Sequence, residues 1–277
     1  MMISGHMDSR LVLVLQTDHS RVAGLLAAHW GNAEFAEPAP YESMVLAAEE
    51  HDAGWWEWEI RPTLTDEGYP MDYIGSVKTL GSVWLDFFRH GIERVAERDA
   101  YAGLMILMHA EGLCTRGKGL ISHMPDFSAI PEVRDALDRW EARREELVDE
   151  LRRSSAYRDF ATEGALWRNF KLMEVFDQMA QFICNRYPFD SEARRNGPAN
   201  TIGHVPVGAG RDDVTLTVDV LDGERARVDP YPFDRSPLRI QIPARLVPDR
   251  AYESQKAFLR EFHKAERRVI DYSLLAG

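Results

Sequence analysis

Two histidines and two aspartates stand where the apolar pattern of the chain predicts core. His19 falls on the stripe of Val22, Ala23, Leu26 and Trp30. His51 and Asp52 end a stripe that runs through Tyr41, Met44, Val45 and Ala48. Asp177 lies among Leu166, Phe170, Met173, Ala180 and Cys184, at steps of three and four. A carboxylate on such a stripe is unfavourable to bury without a partner or a cation. Two imidazoles and two carboxylates satisfy one another by holding a divalent metal, and mixed nitrogen and oxygen donors suit Mn, Fe, Zn, Ni or Mg. Such an ion polarises a phosphoryl or carbonyl oxygen and lowers the pKa of a bound water. Asp52 and His51 are then the catalytic candidates, with Asp52 both binding the ion and orienting the water, and Asp177 closing the shell. Glu49 and Glu50 are near enough in sequence to hold the imidazoles from outside.

These side chains need helices to carry them. LVLVL (11–15) reads as a buried strand, and Asp18 caps a helix that runs to about Trp30. After the EPAP linker, a second helix spans Tyr41 to Ala53 and stops at Gly54. The segment WWEWEIRPTLTDEGYPMDY reads as a long ordered loop. Helical patterns follow at 76–98, 100–112, 131–153 and 162–186, the third densely charged and read as a solvated face. Beyond Pro188 the pattern changes. VTLTVDV and RARVD flank an Asp222-Gly223 turn signal, LRIQIP adds a strand, and 252–272 reads as a closing helix. The expected fold is therefore mainly α, a helical bundle with a small antiparallel β-sheet formed by the N-terminal strand and the C-terminal region. Residues 1–190 form the helical domain, and 191–277 a small sheet plus closing helix packed on it as one unit.

The spacing carries two resemblances. HSRVAGLLA (19–27), HDAG (51–54) and EVFDQMAQFIC (174–184) resemble the ligand segments of the HD superfamily. That likeness implies an HD-like bundle with His19, His51, Asp52 and Asp177 as metal ligands. It implies a phosphohydrolase acting on a small phosphorylated molecule. The doublet here continues Ala53-Gly54-Trp55, where many HD hydrolases have Ile-Gly-Lys. Some HD proteins carry two further histidines in the interval occupied here by LMHAEG and SHMP, which implies a second metal on His109 and His123. With two irons the same pattern implies an oxygenase. Over nearly its whole length the chain also resembles a bacterial family filed as domain of unknown function 3891, a likeness that brings no activity. A third alternative is a non-catalytic binding or regulatory protein on a decayed HD scaffold.

Other features bound the function. The net charge is -12, which repels a phosphate backbone and argues against nucleic acid as partner. Hydrophobic residues make up 45% of 277, enough to bury a sizeable core. The apolar runs are too short to span a bilayer, and MMISGHMDSR lacks the apolar region of a secretory signal. A cytoplasmic protein with Cys114 and Cys184 reduced is expected, and a homo-oligomer stays open. GLCTRGKG (112–119) nearly spells a P-loop but ends in Gly119 in place of the Mg-binding hydroxyl. Its Arg116 and Lys118, with Trp55 and Trp56, are candidates to line a substrate pocket.

Overall fold

The chain builds one curled sheet from both of its ends and lays helices against one face. This is a computed structural model, and it describes residues 1–115, 126–185 and 200–277. The strands are β1 Met2–Met7, β2 Arg10–Val14, β3 Thr201–Val205, β4 Val214–Val220, β5 Arg225–Asp229, β6 Leu238–Pro248 and β7 Glu266–Ala276. Their order in the sheet is β1-β2-β6-β7-β5-β4-β3. β1 and β2 form a hairpin that turns at Asp8 and Ser9, both with positive φ. β2 then pairs with β6 from the far end of the chain, Leu11 opposite Val247. Most neighbours are antiparallel, but β5 and β7 run parallel, Ala226 beside Leu274.

Along β6, Leu238, Ile240, Ile242, Ala244 and Leu246 are buried while Arg239 and Gln241 face out. That period of two makes one face of the sheet apolar, and helices cover it. The helices are α1 Gln16–Ala28, α2 Tyr41–Glu50, α3 Trp56–Glu59, α4 Tyr73–Thr79, α5 Val83–Ala96, α6 Ala100–Cys114, α7 Pro131–Arg153, α8 Glu163–Cys184 and α9 Gln255–Lys264. α1 packs on β6, α8 on β3, and α9 on β6. α6 is apolar but for His109 and Glu111 and is nearly fully buried, so it forms the axis of the helical layer, with α2, α5, α7 and α8 about it. No helix among the described residues is long and apolar enough to cross a membrane.

The expectation of a mainly α bundle with a small antiparallel sheet is corrected. The described residues are 48% helical and 21% strand, with a seven-stranded mixed sheet curled into a half-barrel. Three features hid this. MISGHM has no clean alternation, yet it forms an edge strand. The expected closing helix stops at Lys264, and Ile270, Tyr272 and Leu274 then alternate inward as β7. The parallel pairing of β5 with β7 is set by topology and leaves no local signal. Strands 214–220 and 225–229 and the helix at 131–153 lie where the pattern places them. One turn of 3-10 helix, Ala53–Trp55, leads into the loop read between 55 and 73, and that loop opens with α3.

Candidate metal centre

Each ligand-bearing element is held by a specific local device. The first turn of α1 has no side-chain cap of its own, but Glu59 from α3 accepts the N–H groups of Gln16 and Thr17, at 2.5 and 3.4 Å. α1 and α2 approach closely because Gly24 lacks a side chain; a Cβ there would sit 2.7 Å from that of Glu49. Gly54, just after the His51-Asp52 doublet, faces the backbone of α5, and a Cβ would come within 1.8 Å of the Phe87 carbonyl. The doublet is thereby pinned between α1 and α5. α6 and α8 contribute the remaining groups.

Five side chains converge. Asp177 Oδ1 lies 2.8 Å from His19 Nε2 and 3.4 Å from His51 Nε2. Asp52 Oδ2 lies 3.5 Å from His51 Nε2 and 3.9 Å from His19 Nε2. His109 Nε2 is 3.9 Å from the other oxygen of Asp177, Oδ2. The rings of His19 and His109 each stand edge-on to His51, with centroids 5.2 and 5.3 Å away. All five residues are buried, Asp52 the most open at 5%.

The outer contacts aim the nitrogens. His51 Nδ1 donates to the Ala48 carbonyl at 2.9 Å, so its Nε2 points into the cluster. His109 Nδ1 donates to Glu174 Oε1 at 2.5 Å, which turns its Nε2 inward as well. Gln16 Nε2 donates to Asp52 Oδ2 at 3.1 Å. These are the contacts that fix tautomer and orientation around metal ligands.

Without a cation the cluster balances its charge with protons. Burial opposes a charge on His51, but Asp52 and Asp177 overcome it and carry the imidazole from 6.5 up to about 9. Burial also opposes a charge on His109, and Glu174 raises it all the same. Burial pushes Asp52 up. Burial opposes the charge on Asp177 too, but the hydrogen bond from His19 and the His51 imidazole beside it hold it well below the usual carboxylate range.

The donor set fits a divalent ion. Nε2 of His51 is buried with no partner at hydrogen-bond geometry, and in the neutral ring, with the proton on Nδ1, it turns a lone pair toward the carboxylates. One ligand atom from each of His19, His51 and Asp177 lies within 4.8 Å of the others. Ligands about 2.0–2.2 Å from a common ion are separated by comparable spans.

The four residues singled out by pattern, His19, His51, Asp52 and Asp177, are thus brought together, and His109 joins the same cluster. His123, Arg116 and Lys118 lie outside the described residues. Trp55 is buried among Trp58, Tyr73, Phe87 and Phe88, a packing position. Trp56 is half-exposed and lines a surface cavity. Glu49 and Glu50 do not support the imidazoles: Glu49 is exposed and Glu50 pairs with Arg98. Glu174 does so for His109, and sequence reasoning missed it. Its signal was the helical step of three to Asp177, which puts both on one face of α8. Gln16, three residues before His19, was missed for the same reason.

The profile of one family, described as protein of unknown function (DUF3891), matches residues 2–249. No curated protein and no solved structure is detectably similar to the chain.

Proposed function

The chain belongs to the DUF3891 family, and from that premise we propose that it is a metal-dependent hydrolase acting on a small phosphorylated molecule. One observation carries the reading. Buried lone pairs and carboxylate oxygens from four elements, α1, the end of α2, α6 and α8, converge on one point. A protein that needed only stability gains little from such a cluster, because similar volumes of apolar side chain fill the space as well or better.

His19, His51 and Asp177 would hold the ion, with Asp52 and His109 in reach. When bound it supplies a polarised phosphoryl oxygen and a water acidic enough to attack near neutral pH. The protein's own groups do the rest. Ala48 and Glu174 keep the protons of His51 and His109 on Nδ1, so that both Nε2 atoms stay available. Gln16 holds Asp52 by one oxygen and leaves the other able to accept a proton from water. The burial of the cluster keeps bulk water from competing for these contacts. The His19, His51-Asp52 and Asp177 motifs, similar to those of HD phosphohydrolases, support phosphate as the group acted on.

A second reading rests on Asp177, whose two oxygens face different partners, Oδ1 toward His19 and His51 and Oδ2 toward His109. A carboxylate facing both sets of imidazoles would offer ligand atoms to more than one ion, the metal count a dinuclear-iron oxygenase would need.

Metal content by mass spectrometry tests both. Protein purified without an affinity metal column, and again after reconstitution with Mn, Fe, Zn, Ni or Mg, is expected to hold one equivalent. The loaded form should hydrolyse phosphomonoesters or phosphodiesters in a metal-dependent way. Two equivalents of iron would favour the oxygenase. No metal under any condition would overturn both.

A further inference from the structure

A cavity of about 350 Å³, open to solvent, is walled by α1, α2, the turn after the doublet, α3 and α5. That volume is at the lower end of the roughly 300–1,000 Å³ typical of small-molecule sites. Its wall includes Ser20 and Ala53, each the immediate chain neighbour of a cluster residue, His19 and Asp52. Three arginines, Arg21, Arg94 and Arg98, and two carboxylates, Glu49 and Glu50, line it. In a chain of net charge -12 that excess of cations is local.

The arginines are not equivalent. Arg98 is paired with Glu50 at 3.0 Å, and Arg21 with Asp18 at 3.1 Å. Arg94 has no carboxylate partner among the described residues. Its guanidinium lies 5.9 Å from the centroid of the Trp56 ring, and one nitrogen reaches the Ala53 carbonyl at 3.5 Å. Trp56 itself is 43% exposed, a large apolar ring left open at the cavity. An unpaired guanidinium braced on an indole, facing a space of molecular size, suits an anion with a flat or apolar body.

We propose that this cavity is an anion-binding site in which Arg94 holds the phosphate of a small phosphomonoester and Trp56 packs against its organic part. As the substrate site of the hydrolase it rests on the reading given above. As an anion site it does not, and the two are separable.

Calorimetric titration with phenyl phosphate and with inorganic phosphate tests it, using the protein as purified and its R94Q, W56A and H51A/D52A variants. Phenyl phosphate is expected to bind more tightly than inorganic phosphate. R94Q should weaken both by about tenfold or more, the scale of a lost charge-assisted hydrogen bond. W56A should remove the preference for phenyl phosphate. H51A/D52A should lose metal yet keep Arg94-dependent binding, a result that supports the cavity even if the wild type proves metal-free. Binding that survives R94Q but vanishes in H51A/D52A would put the anion on the cluster and overturn the proposal, as would no binding of either probe by the wild type.

Discussion

The sheet and the helical layer spend their buried surface differently. Along β4, β5 and β6 the residues pointing inward are apolar, and the charges, such as Arg227 opposite Asp219, sit on the outer face. The helical layer buries His19, His51, Asp52, Glu59, His109, Glu111, Glu174 and Asp177, while the only buried polar residue on a strand of the sheet is Ser4, among the described residues. A half-barrel stabilised by apolar burial can tolerate a neighbour that is not optimised for stability. The contrast marks where to look for function: where a chain keeps titratable groups inside at a stability cost, their chemistry is the reason to look for.

Breaking the cluster at its centre should have the largest effect. Asp177→Ala removes the carboxylate that touches three histidines and is expected to abolish metal binding while circular dichroism stays native-like. Full metal content in this variant would sink the constellation. The matching change in the sheet, Ile240→Ala, should act the opposite way. Ile240 is fully buried, so its truncation should destabilise the protein by about 2–5 kcal/mol in urea unfolding and leave metal per folded molecule unchanged. A loss of metal there would show that the two regions are not separable.

A smaller effect is expected one contact out from the cluster. Glu174→Ala should weaken metal affinity by roughly 10–100-fold, and Glu174→Gln, which keeps an acceptor for His109, should restore part of it. Equal affinities in all three proteins would make Glu174 a packing residue only. The smallest effect is on pH dependence. In metal-free protein the stability from protonated His51 is complete below 6.5 and is lost as pH rises through about 9, because its folded pKa is the higher one. Melting temperatures across that range should fall for the metal-free form and stay flatter once an ion has displaced the proton.

Much of this site was legible because helices write their inward faces at steps of three and four. His19, His51 and Asp177 each stood on an apolar stripe, where an ionisable group is conspicuous. Less legible were the groups behind them. Gln16 and Glu174 share those same faces, but polar residues near helix ends and on long helices are common enough not to stand out. The size of the sheet was least legible. β6 and β7 pair over nine residue pairs, Leu238 with Leu274 through to Leu246 with Glu266, yet β7 begins with ERRV, whose first four residues are all exposed and show no alternation. The eye carried the preceding helix through them. The pairing of β2 with β6 depends on segments from opposite ends of the chain, and nothing local to either announces the other.

That pairing bears on the order in which the protein comes into being. Every cluster residue, from His19 to Asp177, leaves the ribosome before β6, Leu238–Pro248, is synthesised. α1 follows directly from β2, and β2 has only β1 beside it until β6 arrives. The nascent chain therefore holds its whole set of donors before the strand that seats α1 exists. Such long-range closure is slow compared with helix formation, so the sheet that seats α1 closes only after every donor of the cluster has been made.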